Sequence, residues 1–417
     1  MALVEDYYDP WNPDFVRDPL SRYRQLLAQP PMRVESRRLP PSLSQGVLPG
    51  KPIVLISRYD DVLTVMRDAA RFSTRRPRRP DEDGSKGLNF YGAANLLFSD
   101  PPVHTRLRRL VTRAFSPRRI RDLAPAIKSL IVNLTDAVAA KGTFEVMGDL
   151  AWPLPMAVIA EMLGVTREFY DNFHRWAVLV ITADRLSSNG SYSKETREAA
   201  VRLRDYVGGE IEKRHNSKAD DLISVLVRAQ EEGDGLTSAE VMAFVLLLLL
   251  AGSETTTMLI GNTLQLMVEH PEPFEALRKD PAMWTRAIEE SLRFEPPVHT
   301  VNRYATRDTE VGGVEILQGS LLYVLLAAAN FDPAKFPNPE RFDITRDPND
   351  HVAFGEGIHF CLGAGLSRLE GEILFPYLFE RFPKLRPAIP GYDGRVYSGD
   401  TSYFMPRRVG FLPMLID

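Results

Sequence analysis

Cysteine is nearly absent from this chain: Cys361 is the single one among 417 residues. One thiol excludes an intrachain disulfide framework and a structural zinc site built from several thiolates, and it fits a reducing compartment. An excess of positive charge is also missing. Lysine and arginine total 51 against 55 acids, a net charge of -4, which argues against a general nucleic-acid binder. No basic segment followed by an apolar run opens the chain; MALVEDYYDPWNPDF carries acids and prolines instead, so no export signal is visible. The longest apolar run, Val241 to Gly252, falls short of the roughly 20 residues that a membrane span needs. These absences predict a cytoplasmic protein without a membrane span. Repeats, low-complexity tracts and composition breaks are missing too, which predicts one compact unit over residues 1–417.

What is present is an ordinary globular composition, 44% hydrophobic and 25% charged. From Asp100 to His270 apolar residues recur at three and four positions, as in HTRLRRLVTRAF, APAIKSLIVNLTDAV and PLPMAVIAEMLG, and predict helices. Ile53 to Ile56 reads as a short strand leading into a helix. After Pro296 the pattern changes to short extended pieces, VNRYATR, VEILQ and SLLYVLLAAA, separated by Gly312, Gly313 and Gly319. The fold class expected is mainly α with a small β region.

One helix contradicts itself. Thr237 and Glu240 form a T-x-x-E capping box, and the helix it opens can run to His270, where Pro271 stops it. At 1.5 Å per residue it would be roughly 50 Å long. Val241 to Leu250 are apolar on every side, so this half must be buried all round. Then comes AGSETTT, Ala251 to Thr257. Either Glu254 reaches solvent and the threonines bond back to their own helix, or a local break opens a polar notch in an apolar cavity. The second reading has a use for small Ala251 and Gly252, against which a ligand can lie; it is the expectation adopted here.

The lone cysteine lies in HVAFGEGIHFCLGAGLSRLEGEI, residues 351–373. A single buried cysteine is more often a small hydrophobe than a reactive group. Here, however, Gly355, Gly357, Gly363 and Gly365 give an irregular backbone that can approach a flat ligand, and Leu362 to Phe375 continues as a helical pattern. A thiolate at a helix N-terminus is favoured by the dipole and by N–H groups aimed at sulfur. A metal bound there must find its other ligands elsewhere, because no second cysteine and no H-E-x-x-H pair exist. Haem iron with one axial cysteine satisfies that demand. A dinucleotide loop fails on spacing, since Gly355 and Gly357 are followed by Phe360, and Gly363 and Gly365 by Arg368. A cysteine hydrolase is poorly served by His359, which two residues away points elsewhere in most backbones.

These residues match F-x-x-G-x-H-x-C-x-G at Phe354, Gly357, His359, Cys361 and Gly363, which resembles the haem-binding loop of the cytochrome P-450 family. AGSETT resembles that family's oxygen-activating motif, with Glu254 and Thr255 as its acid and alcohol. EESLR supplies the E-x-x-R as Glu290 and Arg293, and PERFD supplies the later arginine as Arg341. DPPVHTRLRRLVTRAF resembles the helix that carries propionate contacts, here His104 and Arg108. The resemblance covers essentially the whole chain; Gly365 stands where many bacterial members have proline. With no N-terminal anchor of the microsomal kind, it is similar to the soluble bacterial class.

The resemblance implies the P-450 fold, with haem b between the central helix and the cysteine-loop helix. Cys361 would ligate iron, Ala251, Phe354 and Gly363 would lie against the porphyrin, and His104, Arg108, Arg303 and His359 would neutralise the propionates. Glu290, Arg293 and Arg341 would form a buried ion network that shapes the fold. The implied activity is a monooxygenase that inserts one oxygen atom of O2 into a C–H bond of an apolar small molecule: a terpenoid, steroid, fatty acid or macrolide-like compound. Glu254 and Thr255 would deliver protons. Nothing resembles a flavin or nicotinamide domain, so electrons would come from a separate ferredoxin and its reductase. Arg106, Arg109, Arg113, Arg118 and Arg119 would dock that partner, or would form a solvated basic helix. By resemblance the pocket includes Phe90, Tyr91, Leu247, Leu250, Val298, Val301, Phe404 and Met405. Arg75 to Asn95 and Leu186 to Ser193 would form its entrance, or serve as connectors. A peroxide-driven peroxygenase and a non-catalytic haem sensor or carrier are the rival readings; the acid and alcohol pair argues against both.

Overall fold

The computed structural model describes residues 2–9, 12–35, 47–77, 95–165, 193–215, 217–231, 236–395 and 407–416, with isolated residues between 169 and 179 and at 405. The helix Ser238–Glu269 is the axis of the helical part. It starts where the capping box predicts: Thr237 Oγ1 accepts the Glu240 N–H at 3.2 Å, and Glu240 Oε2 accepts the Thr237 N–H at 2.9 Å. It ends at His270, ahead of Pro271.

The expected break at AGSETTT is absent, and the helix runs through it without interruption. Ser253, Thr255 and Thr256 satisfy their hydroxyls by donating to the carbonyls of Leu249, Ala251 and Gly252, four residues back, at 2.7, 2.8 and 3.3 Å. Thr255 and Thr256 thus follow the alternative reading; Thr257, whose buried Oγ1 has no partner, does not, and neither does Glu254, which is buried. Two helical stretches, Pro117–Lys141 and Ser238–Glu269, are long and apolar enough to cross a bilayer, and 76% of the apolar window of the second is buried inside the protein.

The central helix packs against Pro153–Leu163, Lys194–Glu212, Leu222–Glu231 and Trp284–Phe294. Gly252 permits one of these approaches, since a Cβ there would lie 3.1 Å from Ile159 Cδ1. A five-stranded sheet runs in the order Met32–Val34, Ile53–Ile56, Leu321–Leu325, Thr300–Ala305, Phe72–Ser73, with the second and third strands parallel and the other pairs antiparallel. Both faces are covered, one by an N-terminal cluster with Tyr8 and Tyr23, the other by the helix Tyr59–Arg67. Leu321 to Leu325 are accordingly buried without alternation. The segment SLLYVLLAAA is strand only as far as Leu325; Leu326–Ala329 turns into helix.

The buried ion network contains a different arginine from the one expected. Glu290 is fully buried and accepts Arg293 Nε and Nη2, both at 2.8 Å. Its other donors are Arg346 Nε at 3.2 Å, Asn349 Nδ2 at 3.1 Å and the Asp343 N–H at 2.8 Å. Arg341 has an exposed side chain and contributes only its carbonyl, 3.3 Å from Arg293 Nη2. The chain curls around Arg346, whose Nη1 bonds the Pro337 carbonyl at 2.9 Å, so the carbonyls of the turn face inward and the Arg341 side chain faces out.

Candidate functional site

The glycines before the cysteine are required by contact with another element. Gly355 and Gly357 both adopt φ of 70°, and a Cβ on Gly357 would lie 2.5 Å from the Met66 carbonyl oxygen. The loop therefore lies directly on the end of helix Tyr59–Arg67. A short turn, Gly357–His359, leads to Cys361, whose N–H donates to the Phe354 carbonyl at 2.9 Å. Helix Ala364–Arg381 follows at once, with Gly363 as its N-cap. Burial pushes the Cys361 thiol up; the N–H groups of Gly363 and Ala364 and the guanidinium groups of Arg108 and Arg368 pull it down. The opposing donors and cations suit a sulfur that becomes anionic when a metal takes the place of its proton.

Beside the loop lies a group of bases that no carboxylate among the described residues hydrogen-bonds. His104, on helix Val103–Thr112, and His359 are in contact, and the Nε2 atom of each is buried with no hydrogen-bond partner. Arg303, on strand Thr300–Ala305, is 6% exposed, and its guanidinium bonds only the Asn302 carbonyl at 2.7 Å. Burial lowers it to about 10. Burial, then Arg303, His104 and Arg108, push His359 down to about 3. Arg108 is lowered by burial as well. One carboxylate, Asp100, acts through space on His104, Arg303 and His359, and it is itself held by Ser73 Oγ and by Thr74, whose N–H it accepts at 3.0 Å. Four converging basic groups are costly to bury unless anions enter among them.

The central helix presents Ala251 exposed and Thr255 half-buried on one face, with Leu247 nearly buried one turn before. No described contact joins Thr255 to Cys361. The two helices meet instead at Thr256 Oγ1 and Ser367 Oγ, 2.9 Å apart. Val298, Val301 and Met405 are half-buried. Phe90, Tyr91, Phe404 and the Leu250 side chain lie outside the described residues, as do most of the two proposed entrance segments. Of the five arginines expected on a docking surface, Arg106 bonds Glu240 and Arg119 bonds Asp220 at 2.8 Å. Arg109 and Arg118 are exposed, and the Arg113 side chain lies outside the described residues. Sequence reasoning missed Glu289 and Arg368, whose guanidinium covers the Phe354 ring at 4.5 Å; the doubled acid in EESLR was the available signal.

The Cytochrome P450 family model matches residues 44–283 and 282–386. The chain belongs to the cytochrome P450 family. This P450 is 37% identical to Cytochrome P450 107B1 of Saccharopolyspora erythraea over 389 residues, which are 91% of this chain and 92% of that one. It is also 37% identical to the 6-deoxyerythronolide B hydroxylase of the same organism over 355 residues, 82% of this chain and 86% of the relative. Among solved structures, the myxobacterial cytochrome P450 CYP267B1 in complex with myristic acid matches with a TM-score of 0.85 and 34% identity, covering 98% of each chain. The P450 fold expected from the sequence is therefore present, and the protein is a haem b monooxygenase, an oxidoreductase. The residues present fit that cofactor: one thiol at a helix N-terminus for iron, and two orphaned imidazole nitrogens with two guanidinium groups that bond no carboxylate among the described residues, for two carboxylates.

Proposed function

We propose that this P450 inserts one atom of O2 into a C–H bond of an apolar small molecule, as a single catalytic domain, at a haem b held by Cys361. The observation that carries the reading is the placement of Cys361 at a helix N-terminus beside His104, Arg108, Arg303 and His359, none of which is hydrogen-bonded to a carboxylate among the described residues. When bound, haem supplies oxygen activation, and a thiolate ligand favours O–O cleavage by donating electron density. His104, Arg108, Arg303 and His359 would hold the propionates, and Ala251, Phe354 and Gly363 would lie against the porphyrin. On the substrate side, Leu247, Val298, Val301 and Met405 would exclude water and orient an apolar ligand; Leu250, Phe90, Tyr91 and Phe404 are assigned to the pocket by resemblance alone. Glu254 moves protons inward to Thr255 Oγ1, a hydroxyl held in place by its bond to the Ala251 carbonyl.

Apolar lining together with the hydroxylase of 6-deoxyerythronolide B and the myristic acid complex supports a macrolide-like or fatty acid substrate, within an apolar class that also contains terpenoids and steroids. Electrons come from a separate ferredoxin and reductase in the cytoplasm. The basic stretch from Arg106 to Arg119, on which Arg109 and Arg118 are exposed, is the surface proposed for an acidic partner, and reduction by a ferredoxin should slow as salt is raised. The test is reconstitution with haem, followed by a panel of apolar ligands read through the iron spin state. A strongly red-shifted Soret band of the reduced carbonyl adduct and ligand-induced expulsion of iron-bound water support the reading; a carbonyl adduct without that shift overturns it.

A further inference from the structure

The carbonyl that accepts the Cys361 N–H belongs to Phe354, and the ring of Phe354 lies under a guanidinium: Arg368 Cζ is 4.5 Å from its centre. Arg368 comes from the helix that the cysteine loop leads into, so one element carries both ends of this contact. Its fork is clamped by Glu289, with Nε to Oε1 and Nη2 to Oε2 both at 2.7 Å. Glu289 is held in turn by His351, whose Nε2 lies 3.1 Å from Oε2. Because His351 Nδ1 accepts the Ala353 N–H at 3.2 Å, the ring proton is assigned to Nε2, which donates to Glu289. Ala353 precedes Phe354, so the contacts close into a ring that passes through the peptide holding the cysteine.

That ring pairs the Arg368 guanidinium with the Glu289 carboxylate. Burial raises the Glu289 carboxyl, but Arg368 and His351 outweigh it and hold it at about 2, so Glu289 is charged throughout the working range. The Arg368 guanidinium acts on the Cys361 sulfur through space, and it is about a third exposed, so water screens the effect without removing it. Arg108 is the other cation acting on the sulfur, and no carboxylate among the described residues bonds it.

We propose that Arg368 and Glu289 are positioning residues that set the electron donation of the Cys361 thiolate, Arg368 drawing density from the sulfur and Glu289 limiting how far. The inference rests on the reading of Cys361 as the iron ligand. A cation near the thiolate favours the extra electron of reduced iron, and an anion opposes it. Neutralising each partner must therefore shift the iron in opposite directions, whereas loss of a merely structural clamp would shift both variants alike.

The experiment uses the full chain loaded with haem, its Glu289→Gln, Arg368→Gln and Arg368→Lys variants, and dithionite titration with mediator dyes. The midpoint potential should rise in Glu289→Gln, fall in Arg368→Gln, and lie between parent and Arg368→Gln in Arg368→Lys, which keeps the charge but not the planar fork. Shifts of the same sign in both neutralised variants, or no shift in either, overturn the proposal. If Arg368→Gln takes up no haem, Glu289→Gln decides alone: a rise supports the proposal and an unchanged or lower potential overturns it. A parent whose reduced carbonyl adduct lacks the thiolate Soret band removes the reading of Cys361 itself, a failure distinguishable from the first.

Discussion

The imidazole rings of His104 and His359 lie 4.3 Å apart, from elements far separated in sequence, and neither Nε2 atom has a hydrogen-bond partner. Two rings placed side by side with buried and unused Nε2 atoms are destabilising in isolation. With Arg303 and Arg108 beside them, they make sense as the receiving end for an anionic ligand. Part of the folding free energy is in effect withheld until that ligand binds.

Arg303→Leu is expected to weaken haem retention by about 10- to 100-fold, the loss of one charge-assisted hydrogen bond at a buried site. The check is haem transfer to an acceptor apoprotein, compared with the parent. Because Arg303 is buried and has no carboxylate partner of its own, the variant without haem should be no less stable than the parent.

Glu370 supplies a pH dependence unrelated to the iron. It is 1% exposed, Oε2 has no partner, and burial pushes its carboxyl up from 4.5 to about 8. Between those values the folded protein holds a proton that the unfolded chain has released. Stability from this group is therefore complete below about 4.5 and is lost as pH rises towards about 8. Glu370→Gln, neutral at every pH, should melt higher than the parent at pH 8 and nearly equally at pH 4.5, the gap growing by up to about 1.4 kcal/mol per pH unit. Calorimetric melting at three or four pH values measures it.

The Glu290 network distinguishes two arginines by their exposure. Arg346→Met removes a donor from a carboxylate with no exposed surface and should cost about 3 kcal/mol of stability. Arg341→Met, at an exposed side chain, should stay within about 0.5 kcal/mol. Denaturant unfolding of both variants checks the order, and equal losses would return Arg341 to the network.

This arginine also shows what the sequence could and could not reveal. Local signals read correctly: the T-x-x-E box and Pro271 bound the central helix to within a residue, and E-x-x-R places Glu290 and Arg293 in register on one helix face. Arg346 was invisible because only the fold of the 337–346 turn decides which of two nearby arginines points inward. The parallel pairing of Ile53–Ile56 with Leu321–Leu325 joins distant segments that carry no mutual pattern. The hydroxyls of AGSETTT misled in the opposite way: a polar cluster in an apolar helix suggests a break, yet Ser253, Thr255 and Thr256 find their acceptors one turn back, and only Thr257 Oγ1 is left without a partner among these four hydroxyls. The cysteine loop was legible since its chemistry is local, while the Glu289 clamp beneath it depends on a contact between two helices.

Thr255→Ala tests the proton path, and the continuity of the central helix makes it interpretable. Thr255 Oγ1 donates to the Ala251 carbonyl within an unbroken helix, so its loss removes no contact between elements. Alanine is a better helix former than threonine, and the helix should persist. Haem content and the carbonyl Soret band are therefore expected to match the parent. Electron consumption should continue with a surrogate ferredoxin and a ligand that shifts the spin state, while product per electron pair falls by about tenfold or more, as expected when a positioned proton donor is lost. The measurement is product formed against reductant consumed, with hydrogen peroxide assayed in parallel. An unchanged ratio would mean that Thr255 only fills a turn of helix, and that the proton enters through a group other than its hydroxyl.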